Sequence, residues 1–139
     1  MRSKTSLLER IGLVLVGTIV VVGITAGAAF ANILEFTIDE DATLAPGGLQ
    51  VVVTGTLQCT SGNIARVQVV VSQDRGQQVA TAFGFTPIIS CDGSIQTWGV
   101  TVDSSTPFKN GPAGGRATAL SAGVGGSDSA TVADRLHLN

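Results

Sequence analysis

The feature that most constrains this chain of 139 residues is its pair of cysteines, Cys59 and Cys91, because it has no others. Two cysteines allow a single internal pairing. From Leu49 to Cys59 every second residue is Leu, Val, Gly or Cys. This alternation is typical of a half-buried strand and places Cys59 on its inward face, at its end. We therefore predict a Cys59–Cys91 disulfide within a small β-structure.

The N-terminus predicts export. Three basic residues precede an uncharged, apolar run over residues 11–30, and small residues around Ala31 suit cleavage after that position. The sequence thus divides into a signal helix over 1–31 and one domain over 32–139. An uncleaved leader is the alternative, because a run of about 20 apolar residues can also span a bilayer.

Export supports the disulfide, because oxidising compartments allow disulfides to persist. Metal binding and redox catalysis are the competing roles for the two cysteines. Neither is favoured, since the chain has no Cys-x-x-Cys motif and its one histidine, His137, is distant in sequence. We expect the protein to be secreted or otherwise extracytoplasmic.

Charge excludes two kinds of partner. Residues 32–139 keep five of the eight basic and nine of the ten acidic side chains, which gives this part a formal net charge of −4. Nucleic-acid binding requires clustered Lys and Arg, and anionic lipids attract a basic stretch. We expect no nucleic-acid partner, and a membrane association only if the leader stays uncleaved.

The periodicity predicts an all-β domain. Short alternating runs are separated by turn signals about every 8 to 12 residues, a pattern that favours a seven-stranded immunoglobulin-like β-sandwich. The predicted strands cover residues 33–39, 49–59, 65–73, 78–85, 94–102, 117–122 and 129–138. Asp103–Gly115 is the longest predicted loop. A jelly roll or a small barrel is the alternative architecture.

The cysteine order predicts a bond within one sheet. Cys59 ends the second predicted strand and Cys91 precedes the fifth, and these two strands are antiparallel neighbours in an immunoglobulin-like sandwich. Trp98 follows both cysteines, so the antibody order of Cys, Trp and Cys is absent. We expect Trp98 to pack inward. Asp134 falls on the apolar face of the last strand, and either a bulge or an edge position would keep it out of the core.

Several motifs resemble small secreted domains of actinobacteria and related bacteria. The motifs are Thr54-Gly-Thr-Leu-Gln-Cys59, Cys91-Asp-Gly, Trp98-Gly-Val-Thr-Val, Phe108 with Gly111-Pro-Ala, and a final strand rich in Ala, Thr and Val. In this order they cover most of residues 43–138. The resemblance implies an immunoglobulin-like fold and export. It implies no catalytic residue, because those families have no assigned function.

The chain carries little that predicts chemistry. It has no nucleophile elbow, no zinc-protease motif and no phosphate loop. His137 is best interpreted as an exposed residue of a terminal strand. Glu35 and the acidic turn Asp39-Glu40-Asp41 could supply oxygen ligands to Ca²⁺, although a solvated strand end that discourages aggregation is the favoured interpretation. We expect no catalytic residue, no cofactor and no resident metal.

The candidate partner site is the segment Ser104–Gly115 of the longest predicted loop. Phe108 and Lys109 lie in it between two prolines. Phe108 could anchor a partner or cover the open end of the sandwich, and we favour the second role. Our main hypothesis is a noncatalytic, monomeric binding or structural module for an unknown extracellular protein or glycan. The alternatives are a protease-inhibitor-like protein that uses this loop and a membrane-anchored domain with an uncleaved leader.

Overall fold

The strands of this protein close into a ring. The computed structural model describes residues 32–124 and 126–139. The predicted signal helix over 1–31 lies outside the described residues, and its cleavage stays a prediction. The strands are β1 (Ile33–Ile38), β2 (Asp41–Leu44), β3 (Gln50–Cys59), β4 (Ile64–Asp74), β5 (Val79–Phe85), β6 (Ile89–Ser90), β7 (Ile95–Asp103), β8 (Gly111–Gly123) and β9 (Gly126–Leu138).

Seven of these strands form a mixed β-barrel. The order around the barrel is β3, β7, β5, β4, β8, β9 and β2, and β2 returns to β3. β2 and β9 run parallel, and the other pairs of the ring are antiparallel. The two extra strands are β1, which pairs with β3, and β6, which pairs with β4.

The barrel corrects the prediction of a seven-stranded immunoglobulin-like sandwich. A sandwich would consist of two separate sheets, whereas here two connections join them. The short strand β2 pairs with β3 along one edge and with β9 along the other. On the opposite side, the pair Phe83–Asp103 joins β5 to β7. The small barrel, an alternative in the sequence analysis, is the architecture found.

Two strands and the starts of two others depart from the prediction; β9 begins at Gly126, three residues before the predicted Ser129. β2 begins at Asp41, the last residue of the acidic run that was expected to end a strand, and β6 follows Pro87. β8 begins at Gly111 instead of Ala117, so the predicted loop Asp103–Gly115 shortens to residues 104–110. The missed part of β8 consists mainly of Gly, Pro and Ala, which give no alternation of large apolar and polar side chains. Its pairing with β9, which the sequence pattern does not show, makes it a strand.

The disulfide Cys59–Cys91 is confirmed. The two Cα atoms lie 5.3 Å apart, within the limit of about 7 Å that a disulfide tolerates. Cys59 ends β3, Cys91 precedes β7, and these strands are antiparallel neighbours that begin their pairing at Gln58 and Ile95. The bond therefore links two adjacent strands at one end of the barrel, as the cysteine order predicted. A disulfide favours an extracytoplasmic location.

Trp98 lies in the core, as expected, beside a glycine that makes room for it. The indole is 4% exposed, its ring centroid is 5.9 Å from that of Phe36, and its Nε1 donates a hydrogen bond to the Thr56 carbonyl oxygen at 3.1 Å. A Cβ on Gly55 would stand 2.6 Å from the Trp98 ring and would overlap the Thr37 carbonyl oxygen. The close packing of β1, β3 and β7 here thus depends on Gly55.

Asp134 is exposed because it lies at a sheet edge. The register of β8 and β9 runs without a shift from the pair Gly111–Leu138 to the pair Gly123–Gly126, which rules out a bulge within this pairing. Among the strands that the structure describes, the other edge of β9 pairs only at His137 and Leu138, with β2. Asp134 precedes that short contact, so its carboxylate faces solvent.

Candidate functional site

The most distinctive exposed surface is the outer face of β5. Phe83 and Phe85 are 58% and 47% exposed, and their rings meet edge to face with centroids 5.9 Å apart. The guanidinium carbon of Arg66, on the neighbouring strand β4, lies 5.4 Å from the centre of the Phe85 ring. The two rings therefore form one preorganised unit with a cation stacked at its margin.

The inner side of β5 explains why these rings face outward. Ala80 and Ala82 point into the barrel and are buried. A Cβ on Gly84 would stand 2.9 Å from the carbonyl oxygen of Thr101 and 3.0 Å from the Val100 side chain. β7 thus approaches β5 too closely for large inward side chains. The alternation of the strand then places the phenylalanines on the opposite face.

Apolar side chains extend this surface across the barrel wall. Val70 on β4 pairs with Phe83 and is half-buried. Leu120 on β8 pairs with Arg66 and is exposed. We call Arg66, Val70, Phe83, Phe85 and Leu120 the aromatic face. No role was predicted for Phe83 and Phe85, although the small residues Ala80, Ala82 and Gly84, which alternate with them along the strand, were the available signal.

The predicted partner loop is short and firmly held. Phe108 is 3% exposed and its backbone N–H donates to the Gly48 carbonyl oxygen at 2.8 Å. The buried Gln73 side chain accepts from the N–H of Lys109 at 2.8 Å and donates to the Lys109 carbonyl oxygen at 2.8 Å. The Phe108 ring therefore packs against the barrel end, and Lys109 is the member of the pair that faces solvent.

An open depression of about 620 Å³ lies beside this loop. Residues 44–48 form one wall, and Phe108, Lys109 and Asn110 form the other. Lys109 is the one ionisable side chain among these lining residues. The depression can therefore offer a single cation, the Asn110 amide and backbone groups to a partner, and its lining residues include no acid–base pair.

The acidic residues that were considered for Ca²⁺ do not gather into a site. Asp39 accepts a hydrogen bond from the Thr54 hydroxyl at 2.6 Å. Glu40 accepts at its backbone carbonyl from the N–H of His137 at 2.7 Å. Within residues 32–124 and 126–139, no group of three or more His, Cys, Asp and Glu side chains is arranged to hold a metal ion.

The turn after Cys91 contains a perturbed carboxylate. Asp92 accepts hydrogen bonds at Oδ1 from the Ser94 hydroxyl at 2.6 Å and from the Ser94 N–H at 2.8 Å. These two bonds favour the ionised form and lower the pKa of Asp92. Asp92 is fully exposed and closes its own turn, so its arrangement is that of a local structural motif beside the disulfide.

The fold and surface together define a class, a disulfide-linked β-barrel with an exposed aromatic face. No family model and no curated protein matches the chain. Among solved structures it is similar to AggA, the major subunit of aggregative adherence fimbriae type I from Escherichia coli, with 11% identity, 76% of this chain and 93% of that chain covered, and a TM-score of 0.44. It is also similar to Spo0M, a sporulation control protein from Bacillus subtilis, with 11% identity, 76% and 48% covered, and a TM-score of 0.31. These distant similarities assign no family, and the resemblance to secreted actinobacterial domains stays a resemblance.

Across residues 32–124 and 126–139, no helix has the length and apolar character needed to cross a bilayer.

Proposed function

We propose that this protein is a noncatalytic, secreted binding module whose partner surface is the aromatic face. The observation that carries the proposal is the exposed Phe83–Phe85 pair with Arg66 stacked beside it. Aromatic residues and Arg are enriched in the energetically important parts of protein interfaces. Their position on paired strands means that little conformational entropy is lost on binding.

The composition of the face favours a protein partner over a glycan. Val70 pairs with Phe83, Leu120 pairs with Arg66, and Ile64, two residues before Arg66 on β4, is also exposed. Apolar neighbours of this kind can bury area against another protein. They cannot satisfy the many hydroxyl groups of a sugar. The partner we propose is an extracellular protein with a complementary apolar surface.

Two further parts of the proposal, export and a noncatalytic role, are supported by features outside the aromatic face. The leader over 1–31 predicts secretion, and the disulfide suits an oxidising compartment. The chain has one histidine, and His137 is an exposed residue of β9. General acid–base catalysis commonly relies on histidine or on paired carboxylates in a cleft. The aromatic face contains neither histidine nor a carboxylate, and we therefore propose a noncatalytic module.

The test compares two variants of exposed apolar residues on β5. In the double variant Phe83→Ser/Phe85→Ser, binding of the purified, processed protein to intact envelopes of the producing organism should weaken at least tenfold, about 1.4 kcal/mol. Val79→Ser is the matched control, because Val79 is 62% exposed on the same strand. It should bind like the unchanged protein. Saturation binding with fluorescently labelled protein measures all three.

Two results would overturn this proposal. One is a double variant that saturates envelopes with unchanged affinity while circular dichroism shows an intact fold. The other is stoichiometric inhibition of a secreted protease that Lys109→Ala abolishes and the phenylalanine variant retains. The second result would support the protease-inhibitor alternative, which the rigid loop over 104–110 favours.

A further inference from the structure

The first described residue, Asn32, is buried and fully hydrogen-bonded. It is 2% exposed. Its side-chain Nδ2 donates to the Gly126 carbonyl oxygen at 2.9 Å, and its Oδ1 accepts from the Asn63 side chain at 2.7 Å. Its carbonyl oxygen accepts from the Thr60 N–H at 2.8 Å. A residue at the start of a domain is usually poorly ordered unless it is tied down, and here every polar group of Asn32 has a partner.

The remaining polar group of Asn32, its backbone nitrogen, meets a carboxylate. The nitrogen donates to Asp128 Oδ2 at 3.2 Å, and the nitrogen of Ile33 donates to the same oxygen at 3.1 Å. The second oxygen, Oδ1, accepts from the Ser129 N–H at 2.9 Å. Asp128 is half-buried. The start of β1 is therefore held by a side chain of β9.

This contact lies where the barrel wall lacks backbone pairing. β1 pairs with β3 on one side, and β9 pairs with β8 and, at its last residues, with β2. No ladder is formed between β1 and β9 in the described chain. The Asp128 carboxylate thus links two strand edges that their main chains leave unlinked.

We propose that Asp128 is the receptor for the α-ammonium group that leader cleavage creates at Asn32. Hydrolysis of the Ala31–Asn32 peptide bond breaks its C–N bond. Water supplies the hydroxyl that completes the Ala31 carboxyl group. Its remaining proton goes to the Asn32 nitrogen, which becomes a primary amine. The amine takes a further proton from solvent near neutral pH, because α-amino groups have pKa values of about 7.7 to 8.0. The resulting cation stands at the nitrogen that already contacts Asp128 Oδ2.

The charges around this nitrogen suit a cation. The nearest ionisable groups along the adjoining elements are Glu35 on β1, Asp92 in the turn after Cys91, and Asp128 on β9. β9 also carries Asp134, Arg135 and His137, which lie six or more residues further along the strand. The end of β3 and the turn over 60–63 carry no charge. The Asp128 carboxylate already makes a charge-assisted hydrogen bond to the peptide N–H, and an ammonium donor adds the Coulomb attraction between two full charges. Processing therefore strengthens a contact that the uncleaved chain makes only with a neutral peptide N–H. This inference rests on the predicted cleavage after Ala31 and is independent of the aromatic face.

The test neutralises the amine without changing Asp128. Residues 32–139 contain one lysine, Lys109, so in processed Lys109→Arg protein the α-amine is the single acetylation target. The free-amine protein should melt about 4 °C higher than the acetylated protein at pH 6.5. The ion pair raises the folded-state pKa of the amine above its unfolded value. The added stability is thus fully present below about pH 8 and is lost as pH rises through the folded pKa. The gap in Tm should close by about pH 10.5.

The variant Asp128→Asn separates the ion pair from other effects of acetylation. The free-amine and acetylated forms of this variant should have the same Tm at every pH. The proposal would be contradicted if acetylation changed the Tm of the Asp128 protein and of the Asp128→Asn variant equally. It would also be contradicted if acetylation left the Tm of the Asp128 protein unchanged at pH 6.5. If Asp128→Asn fails to fold, NMR titration of the α-amine decides: a pKa at its ordinary value contradicts the ion pair. A mass that places the processed N-terminus at another residue also contradicts it and leaves the proposed binding function untouched.

Discussion

Replacing both Cys59 and Cys91 with alanine is expected to lower the free energy of unfolding by about 3 to 4 kcal/mol. The bond closes a segment with a sequence separation of 32 residues, and the chain-entropy model gives that magnitude for a loop of this length. A domain of this size is stable by about 5 to 15 kcal/mol in total. The double variant should therefore show a much lower midpoint in urea.

Reduction of the unchanged protein is the control for this prediction. It breaks the same bond while both sulfur atoms stay in the core, where Cys59 and Cys91 are almost completely buried. The reduced protein and the double variant should lose similar amounts of stability if loop closure dominates. A double variant with an unchanged urea midpoint would show that the bond contributes little to this barrel.

Replacing Trp98 with alanine is the second substitution with a large expected effect, a loss of about 3 to 5 kcal/mol. The change removes the indole that fills the space above Gly55 and beside Phe36. It also leaves the Thr56 carbonyl oxygen without its indole donor. Because Gly55 has no side chain that could fill the cavity, the structure can relax only partly. Urea unfolding followed by circular dichroism measures the loss.

Phe83→Ala is the matched control for Trp98→Ala, since it also truncates an aromatic side chain. Phe83 is exposed on the barrel's outer face, so its removal should change the free energy of unfolding by less than about 1 kcal/mol. Equal losses in the two variants would contradict the placement of Trp98 in the core. Trp98→Phe should lie between them, because it keeps a ring and loses the hydrogen bond.

The parts of the fold that follow from local pattern could be predicted. Two-residue alternation identified the inward face of β3, and its buried valines, Val51 and Val53, lie where that alternation put them. Strand order then gave the disulfide between the ends of neighbouring strands, Cys59 and Cys91. The inward face of a strand depends on side chains within that strand, and the disulfide depends on the one pairing that two cysteines allow. A sequence displays both directly.

Closure of the barrel could not be predicted, because it depends on pairings between distant segments. β2 has four residues, Asp41–Leu44, and its first residue belongs to an acidic run that indicates a turn. Its role comes from hydrogen bonds to β3 and β9 on either side. The pair Phe83–Asp103 is a single bridge, and no local pattern marks such a contact.

The candidate site was missed for a related reason. Periodicity shows that Phe83 and Phe85 share a face, but it does not show which face meets the core. Hydrophobicity alone favours the larger residues inside. In β5 the smaller residues face the core instead, because β7 comes so close at Gly84 that no side chain fits on the inner side. The loop over 104–110 was recognised, and the structure turns its Phe108 inward.

The central claim is that an exported, processed and disulfide-linked barrel is the functional form of this protein. Intact-mass analysis of protein isolated from the medium and envelope of the producing organism tests it most directly. We predict a chain that begins at Asn32 and is lighter by two hydrogen atoms than the same chain after reduction. A protein that retains Met1 in the cell, or one whose Cys59 and Cys91 react as free thiols without reduction, would contradict the account.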